Sequence, residues 1–376
     1  MNGVRFSDKK ENSRVLLLGG AGYLGSVLAA KLLASGRRVR VLDSFMFGEQ
    51  SLDQIRAHPK CELVRGDVRD VGIVVKCMQG CDTLIHLAAI VGDSACEENQ
   101  QLAVEVNRAA TRMLTDVAQE CGVRRFVFAS SCSVYGASDF FRTEASPVNP
   151  LSLYAEMKAE SERILLEAKT PTFAPTILRL GTLFGLSPRM RFDLVVNLFV
   201  AHAVFVRKIT ILNAAQWRPL IHVSDAARAF VTILEAAADK VSGETFNVGA
   251  AGLNLQIEQL GRAVARVISG TEIEMLQNED RRNYRVTFDK VHKRLGFSCS
   301  KTMEYGIQEI YDAIRAGQIT DFATEQFHNQ FALRALVRAG AKQSSPLREM
   351  AASVTMATPE NGTLNRASVR SHAAGG

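Results

Sequence analysis

Seven short runs of Val, Ile, Leu and Phe constrain the fold of this 376-residue chain more than any other feature. Most of them are almost continuously apolar, as strands buried on both faces of a sheet must be. Segments of helical periodicity lie between them, for example residues 23–34 and 154–168. The apolar runs cover residues 15–20, 38–43, 62–67, 83–89, 125–130, 176–181 and 244–249. Strands that alternate with helices predict a parallel sheet covered by helices on both faces.

The composition excludes several classes of protein. Apolar residues make up 47% of the chain and charged residues 22%, which is a globular balance and not that of a fibrous or disordered chain. Much of the net charge of +6 lies in residues 331–376. The segment 341–376 also lacks apolar periodicity, so we predict a disordered basic tail there. Because the basic charge belongs mainly to this tail, we expect no nucleic-acid partner.

Further features bear on compartment and metal binding. The longest apolar stretch, residues 194–206, is interrupted by polar side chains and is shorter than the roughly 20 residues of a membrane span. The N-terminal residues are polar and do not resemble a secretory signal. Seven scattered cysteines lack zinc-site spacing and suit reduced thiols. We therefore expect a cytoplasmic protein with no membrane partner and no metal.

The first apolar run ends in a glycine-rich turn, residues 19–25, and a helical segment follows immediately. Gly19 allows the tight turn, Gly22 lets the backbone approach a pyrophosphate, and Gly25 lets the helix pack against the strand. Asp43 ends the second run, where a carboxylate accepts hydrogen bonds from ribose hydroxyls and repels a 2′-phosphate, with no arginine matched to that phosphate. The pattern predicts an NAD site that disfavours NADP. The residues that these two segments contribute to the predicted NAD site are Gly19, Gly22, Tyr23, Leu24, Gly25 and Asp43.

Three later motifs follow in order: Gly66-Asp67-Val68-Arg69-Asp70, His86-Leu87-Ala88-Ala89 and Val106-Asn107. Together with the GxxGxxG spacing, they make residues 13–315 resemble the extended short-chain dehydrogenases/reductases. Within that superfamily, the chain is most similar to the NAD-dependent epimerase/dehydratase family, which acts on nucleotide sugars. The resemblance implies that Asp67 and Val68 meet the adenine. It also implies that the cofactor site includes Leu87, Ala88, Ala89 and Asn107.

Tyr154 and Lys158 stand four residues apart in a helical segment, so they share one face. A phenol with its ordinary pKa near 10 is a poor base at neutral pH. A neighbouring ammonium and the positive nicotinamide would lower that pKa. Residues 128–136 resemble the family's S-S-x-x-V-Y-G strand end, which implies that Ser131 hydrogen-bonds the reacting sugar hydroxyl. The predicted catalytic residues are Ser131, Tyr154 and Lys158, and the last two also belong to the cofactor site.

The two positions after Ser131 bear on the reaction type. The family's 4,6-dehydratases carry an Asp-Glu pair there as an additional acid and base, whereas this chain has Cys132 and Ser133. A thiol and a hydroxyl are poor replacements for two carboxyl groups. The resemblance therefore favours oxidation and reduction at C4 of the sugar over dehydration.

The same resemblance implies a set of residues for the substrate. Asn197 and Arg218 match positions that contact the substrate phosphates, and a second arginine falls on Arg281 or Arg282, of which we favour Arg282. Thr182 stands where the UDP-galactose epimerases usually have Asn. The predicted substrate residues are Ser131, Thr182, Asn197, Arg218 and Arg282.

We predict an α/β fold with a doubly wound parallel (Rossmann) sheet and a smaller, discontinuous C-terminal substrate domain. Residues 13–181 and 220–249 would form the NAD-binding domain, and residues 182–219 and 250–330 the nucleotide-sugar domain. Helical segments at 103–121 and 154–168 commonly form a homodimer in this family, so a homodimer is expected.

The favoured activity is C4 epimerisation of a nucleotide-diphosphate sugar, with transient oxidation by hydride transfer to NAD⁺ and return to the opposite face. Two alternatives stay open: an NAD-dependent 4-ketoreductase or dehydrogenase, and a non-catalytic NAD-binding regulatory protein. The sequence leaves the sugar and the nucleotide base unassigned.

Overall fold

The seven apolar runs form the strands of one parallel sheet, as the sequence predicts. The structure, a computed structural model, describes residues 14–278, 280 and 282–335. Its strands are β1 Arg14–Leu18, β2 Arg38–Asp43, β3 Cys61–Arg65, β4 Thr83–His86, β5 Arg125–Ser131, β6 Ala137–Arg142, β7 Ala174–Leu180, β8 Thr182–Phe184, β9 Lys208–Leu212, β10 Trp217–His222, β11 Glu244–Val248, β12 Asn254–Gln256, β13 Glu272–Leu276 and β14 Asn283–Val286. The large sheet has the order β3-β2-β1-β4-β5-β7-β11, and every pairing in it is parallel.

Helices connect these strands. They are α1 Tyr23–Ala34, α2 Asp53–Arg56, α3 Val71–Met78, α4 Asp93–Glu98, α5 Gln100–Val104, α6 Ala110–Glu120, α7 Leu153–Glu167, α8 Val195–Ala201, α9 Val223–Glu235, α10 Ala238–Val241, α11 Ile257–Val267, α12 Asp289–Leu295 and α13 Met303–Arg315. A π-helical turn, Glu105–Ala109, joins α5 to α6, and another, His202–Val206, follows α8. Among the described residues, none of these helices has both the length and the apolar character needed to cross a membrane.

The central strand β1 is buried on both faces. Val15 and Leu17 pack into one hydrophobic cluster with Leu28 of α1 and Phe230 of α9. Leu16 and Leu18 point the other way, into a cluster with Val74 of α3 and Leu114 of α6. Because strand side chains alternate between faces, this division confirms the prediction of helices on both sides of the sheet.

Three small sheets accompany the large one, with the orders β12-β10-β8, β13-β9 and β14-β6. Strand β10 falls partly in the range 220–249 that we assign to the cofactor domain, yet it pairs with β8 and β12. The described residues up to Leu333 belong to one compact unit. The division into a cofactor domain and a substrate domain therefore stays a prediction. The basic tail predicted over 341–376 lies outside the described residues.

The predicted homodimer also stays a prediction. The exposed side chains of α6 include Arg112 and Asp116, and those of α7 include Arg163 and Glu167. The large apolar side chains found exposed, such as Phe140 at 80%, lie on other elements. A four-helix interface through α6 and α7 would therefore have to match charged groups rather than bury an apolar face.

Candidate active site

A cavity of about 680 Å³ lies at the carboxyl ends of the parallel strands. Strands β1 and β4 are neighbours there, and the strand order reverses between them, which is the position where doubly wound sheets bind ligands. Most of the predicted site residues line this cavity: Gly19, Gly22, Tyr23, Leu24, Gly25, Asp43, Asp67, Val68, Leu87, Ala88, Ala89, Ser131, Tyr154, Lys158, Thr182, Arg218 and Arg282. The fold thus brings together residues from nearly the whole described chain.

The glycine turn has the geometry expected of a phosphate cradle. A Cβ atom at Gly25 would lie 2.1 Å from the Gly19 carbonyl oxygen, so only glycine lets α1 begin this close to the turn. Gly19 has φ +79°, and a Cβ there would meet the Ala88 backbone nitrogen at 2.7 Å. A Cβ at Gly22 would meet nothing closer than 3.4 Å. No side chain caps the N-terminus of α1, so its first N–H groups suit an anionic ligand.

Asp43 is held in place by the backbone. One carboxylate oxygen accepts from the Ala21 N–H and the other from the Phe45 N–H, each at 2.8 Å. Burial raises the pKa of Asp43, while those two hydrogen bonds and the charges of Arg65 and Arg189 oppose the rise. The charges of two arginines, Arg65 and Arg189, therefore act on this carboxylate.

Ser131, Tyr154 and Lys158 come together between β5 and α7. Ser131 is the last residue of β5, and its Oγ accepts from the Ser133 N–H at 3.1 Å. The Lys158 ammonium donates to the Ala129 carbonyl at 2.8 Å and lies 5.7 Å from the centre of the Tyr154 ring. Helix α7 is positioned by Ser152, whose Oγ caps its N-terminus by accepting from the Ala155 N–H.

Burial is the main cause of the pKa shifts of Lys158 and Tyr154. It lowers the pKa of Lys158 to about 8. Burial also raises the pKa of Tyr154 well above its usual range. The positive charge of Arg191 opposes this rise. The predicted lowering of the Tyr154 pKa is therefore not produced by the protein charges alone, since desolvation outweighs them. In the protein by itself, Tyr154 carries its proton at neutral pH.

Asn107 and Asn197 do not line the cavity, which corrects both predictions. Asn107 is 3% exposed, and its amide both donates to the Ile90 carbonyl and accepts from the Ile90 N–H at 2.8 Å. It therefore positions the loop after β4 and is not placed to touch the cofactor. Asn197 is fully buried, accepting from the Gly185 N–H and donating to the Arg191 carbonyl and the Tyr23 hydroxyl. Its amide has no position left for a substrate phosphate.

Arg218 and Arg282 lie together in the cavity lining and share one carboxylate. Arg218 is 7% exposed and pairs with Asp280 at 3.1 Å, while Arg282 pairs with the same side chain at 2.7 Å. Arg282 also forms an ion pair with Asp93. Arg218 also donates to the Trp217 and Arg282 carbonyls and to the Gln216 side chain, so Arg282 is the one with more donors left for a diphosphate. Of the two arginines considered for the second position, Arg281 lies outside the described residues.

The sequence model of the NAD dependent epimerase/dehydratase family matches residues 15–249. This chain belongs to that family. The match spans the large sheet and the predicted catalytic residues, and it confirms the resemblance drawn from the motifs.

The relatives of this chain are named for different reactions. It is 26% identical to a dTDP-glucose 4,6-dehydratase of Actinoplanes over 324 residues, covering 81% of this chain and 98% of the relative. It is 28% identical to a UDP-glucose 4-epimerase of Corynebacterium glutamicum over 312 residues, covering 77% and 92%. A 3 beta-hydroxysteroid dehydrogenase/isomerase of Mycobacterium tuberculosis is 35% identical over 164 residues, which is 42% of this chain and 43% of that relative.

Solved structures share the fold. DesIV, a dTDP-glucose 4,6-dehydratase from Streptomyces venezuelae with NAD and TYD bound, superposes with a TM-score of 0.74 at 26% identity, covering 81% of this chain and 98% of that one. MoeE5 in complex with UDP-glucose and NAD gives 0.71 at 25% identity, covering 82% and 100%. The predicted doubly wound fold is confirmed.

NAD is the cofactor of this epimerase/dehydratase family member, as the sequence predicts. The residues fit it: the uncapped start of α1 and the open space at Gly22 suit its pyrophosphate, and Asp43 suits a ribose. Bound NAD supplies a ring that accepts and returns hydride. Lys158 lies where its ammonium can bind a ribose hydroxyl beside Tyr154.

We expect NAD to bind at least about ten-fold more tightly than NADP, because a 2′-phosphate would meet the Asp43 carboxylate. Asp43→Ala should narrow the difference, all the more because Arg65 and Arg189 remain nearby. Calorimetry of the cofactor-free protein with each dinucleotide measures both affinities. Asp53→Ala removes a carboxylate outside the cavity lining and should change neither. A preference for NADP in the wild type would contradict the prediction.

Arg189, Arg191, Asp193 and Asn329 are among the cavity residues that sequence reasoning missed. Arg191 and Asp193 form a two-pronged ion pair at 2.9 and 3.0 Å in the loop between β8 and α8. Arg189 and Asn329 also line the cavity and hydrogen-bond each other at 2.8 Å. The charged run Arg189-Met190-Arg191-Phe192-Asp193, set between two apolar segments, is the sequence signal that could have drawn attention to this loop.

Proposed function

We propose that this chain is an NAD-dependent nucleotide-sugar 4-epimerase. The observation that carries the proposal is the environment of the residues after Ser131. Cys132 is 1% exposed, its thiol donates to the Arg179 carbonyl, and burial raises the pKa of that thiol far above its usual range. A buried, protonated thiol cannot replace the acid of a dehydratase. Ser133 offers only a hydroxyl.

The carboxylates near Tyr154 support the same conclusion. Asp93 and Asp193 both line the cavity, but Asp93 pairs with Arg282 and Asp193 pairs with Arg191. Both carboxylates are engaged by guanidinium groups, so neither is free to take the proton of the sugar hydroxyl. Among the described residues that line the cavity here, Tyr154 is therefore the group best suited to exchange a proton with the sugar.

Each catalytic residue then has one task. Ser131 binds the C4 hydroxyl of the sugar and orients it. The Tyr154 oxygen takes the proton of that hydroxyl as C4 is oxidised, and returns it when C4 is reduced on the opposite face. The Lys158 ammonium, close to the phenol, stabilises the phenolate that exists before the first step and again after the second. Arg218 and Arg282 hold the diphosphate while the sugar ring turns over.

The test uses the purified protein with the cofactor that it carries and no added dinucleotide. UDP-, dTDP-, GDP- and CDP-hexoses are incubated separately and followed by NMR. We expect the C4 epimer of one of them, with no loss of water. A reaction that requires stoichiometric added NAD or NADH would instead indicate a dehydrogenase or ketoreductase. A 4-keto-6-deoxy product would indicate a dehydratase. No reaction with any of the sugars would favour a non-catalytic NAD-binding protein.

We expect the double variant Cys132→Ala, Ser133→Ala to retain turnover within about ten-fold of the wild type, because neither side chain is assigned a proton transfer. The measurement is the initial rate on the sugar identified above, with the melting temperature as a check on folding. Each single variant serves as a control for the other. A loss of several orders of magnitude in a folded variant would contradict the assignment.

A further inference from the structure

Residues 322–333, which we name the C-terminal strap, pack against the loop between β8 and α8. The Phe327 carbonyl accepts from the Phe192 N–H at 3.0 Å, and the Phe192 ring contacts the Phe322 and Phe327 rings edge-on. At the far end, Leu333 is 1% exposed within a cluster that contains Ile90. The strap thus lies along one wall of the NAD cavity, although it follows the region matched by the family.

Asn329 is the residue of the strap that reaches the cavity. It is 6% exposed, and its amide nitrogen donates to the Val91 carbonyl at 3.0 Å. Its amide oxygen accepts from the Arg189 guanidinium at 2.8 Å, and its backbone N–H donates to Asp193 at 3.3 Å. One side chain therefore connects the loop after β4 to the loop before α8, across the cofactor site.

Arg189 is the group that Asn329 holds. It is 5% exposed and lines the cavity, its guanidinium lies 3.9 Å from the centre of the Phe47 ring, and the Gln326 carbonyl also accepts from it. Its Nε–H is buried and has no hydrogen-bond partner among the described residues. The hydrogen bonds to Asn329 and Gln326 come from one terminal nitrogen, so the other terminal nitrogen of this cavity-lining guanidinium is the one that suits an anionic group of the dinucleotide.

We propose that Asn329 is a positioning residue of the cofactor site: it holds Arg189 toward the anionic part of NAD, and the strap thereby slows NAD release. The proposal depends on the cofactor being NAD and not on the reaction. A slowly released NAD suits a reaction in which each cycle regenerates the oxidised cofactor in place.

The experiment measures exchange of the NAD carried by the purified protein against isotopically labelled NAD, sampled over time by rapid gel filtration. We expect Asn329→Ala to speed release by at least about ten-fold. Arg189→Lys keeps the charge but loses the fork of donors, and it should speed release similarly. The double variant should be little faster than either single one, because Asn329 acts through Arg189.

Gln326→Ala is the matched control, since it removes an exposed amide from the same strap and leaves the carbonyl that accepts from Arg189. It should release NAD within two-fold of the wild type. Release from a folded Asn329→Ala at the wild-type rate would overturn the proposal, and so would fully additive effects of the two substitutions. If Asn329→Ala does not fold, wild-type release from Arg189→Lys overturns it instead. NAD exchange is scored without turnover, so an inactive protein that retains NAD would refute only the proposed epimerase.

Discussion

Tyr154→Phe should reduce kcat by roughly 10²–10⁴-fold while the protein still binds NAD, because the ring remains and only the proton-transferring hydroxyl is lost. The cavity carboxylates Asp93 and Asp193 are paired with Arg282 and Arg191, so neither is placed to take over the proton transfer. The measurement is kcat on the epimerised sugar, together with the NAD content of the variant after denaturation.

Tyr305→Phe provides the matched control, since Tyr305 is 45% exposed on α13 and outside the cavity lining. It should leave kcat unchanged. Lys158→Ala should differ from Tyr154→Phe by weakening NAD binding as well, because the Lys158 ammonium is placed for both the ribose and the phenol. If Tyr154→Phe turned over at the wild-type rate, the assignment of all three catalytic residues would have to be abandoned.

Local patterns in the sequence were sufficient for the sheet and for much of the cavity. The seven apolar runs become seven parallel strands, because a strand that is apolar on both faces must have both faces covered, as in such a sheet. The carboxyl ends of parallel strands meet at one edge, so Gly19, Asp43 and Ser131 had to lie near one another once the strands were assigned. For the cofactor-binding residues, the position of each motif at a strand end is therefore enough to predict where the residue lies in the fold.

The directions in which side chains point could not be predicted from the sequence in the same way. Asn197 lies on a short helix, and nothing in its spacing tells whether its amide faces the substrate or the Tyr23 hydroxyl, 174 positions earlier in the chain. Asn329 and Arg189 are separated by 140 positions, so their contact exists only in the folded chain. The pKa of Tyr154 is set by packing in the same way, since the cost of burying its charge depends on neighbours that are distant in the sequence.

A buried ion pair supports the catalytic residues from below. Glu162 lies one turn after Lys158 on α7, and it accepts from the Arg179 guanidinium of β7 through both oxygens, at 2.6 to 3.1 Å. The two side chains are only 4% and 8% exposed. Ser130, next to Ser131 on β5, also donates to Glu162. The pair therefore fixes α7 against both strands that carry the site.

Arg179→Met should lower the free energy of unfolding by about 3–5 kcal/mol, because it leaves the Glu162 charge buried without its partner. Urea unfolding followed by circular dichroism measures the change. Glu167→Ala is the control on the same helix: it removes the exposed pair with Arg163, which is worth only about 0.3–0.5 kcal/mol.

The double variant Arg179→Met, Glu162→Met separates two contributions to the loss of stability: the unpaired charge of Glu162 and the lost packing of the Arg179 side chain. It removes both charges together, so much of the lost stability should return, since the penalty of an isolated buried carboxylate disappears. Turnover of the double variant should nevertheless fall below that of Arg179→Met, because only the double variant removes the carboxylate that joins Ser130 to α7. A double variant as unstable as Arg179→Met would show instead that the packing of the Arg179 side chain, and not its charge, stabilises this part of the protein.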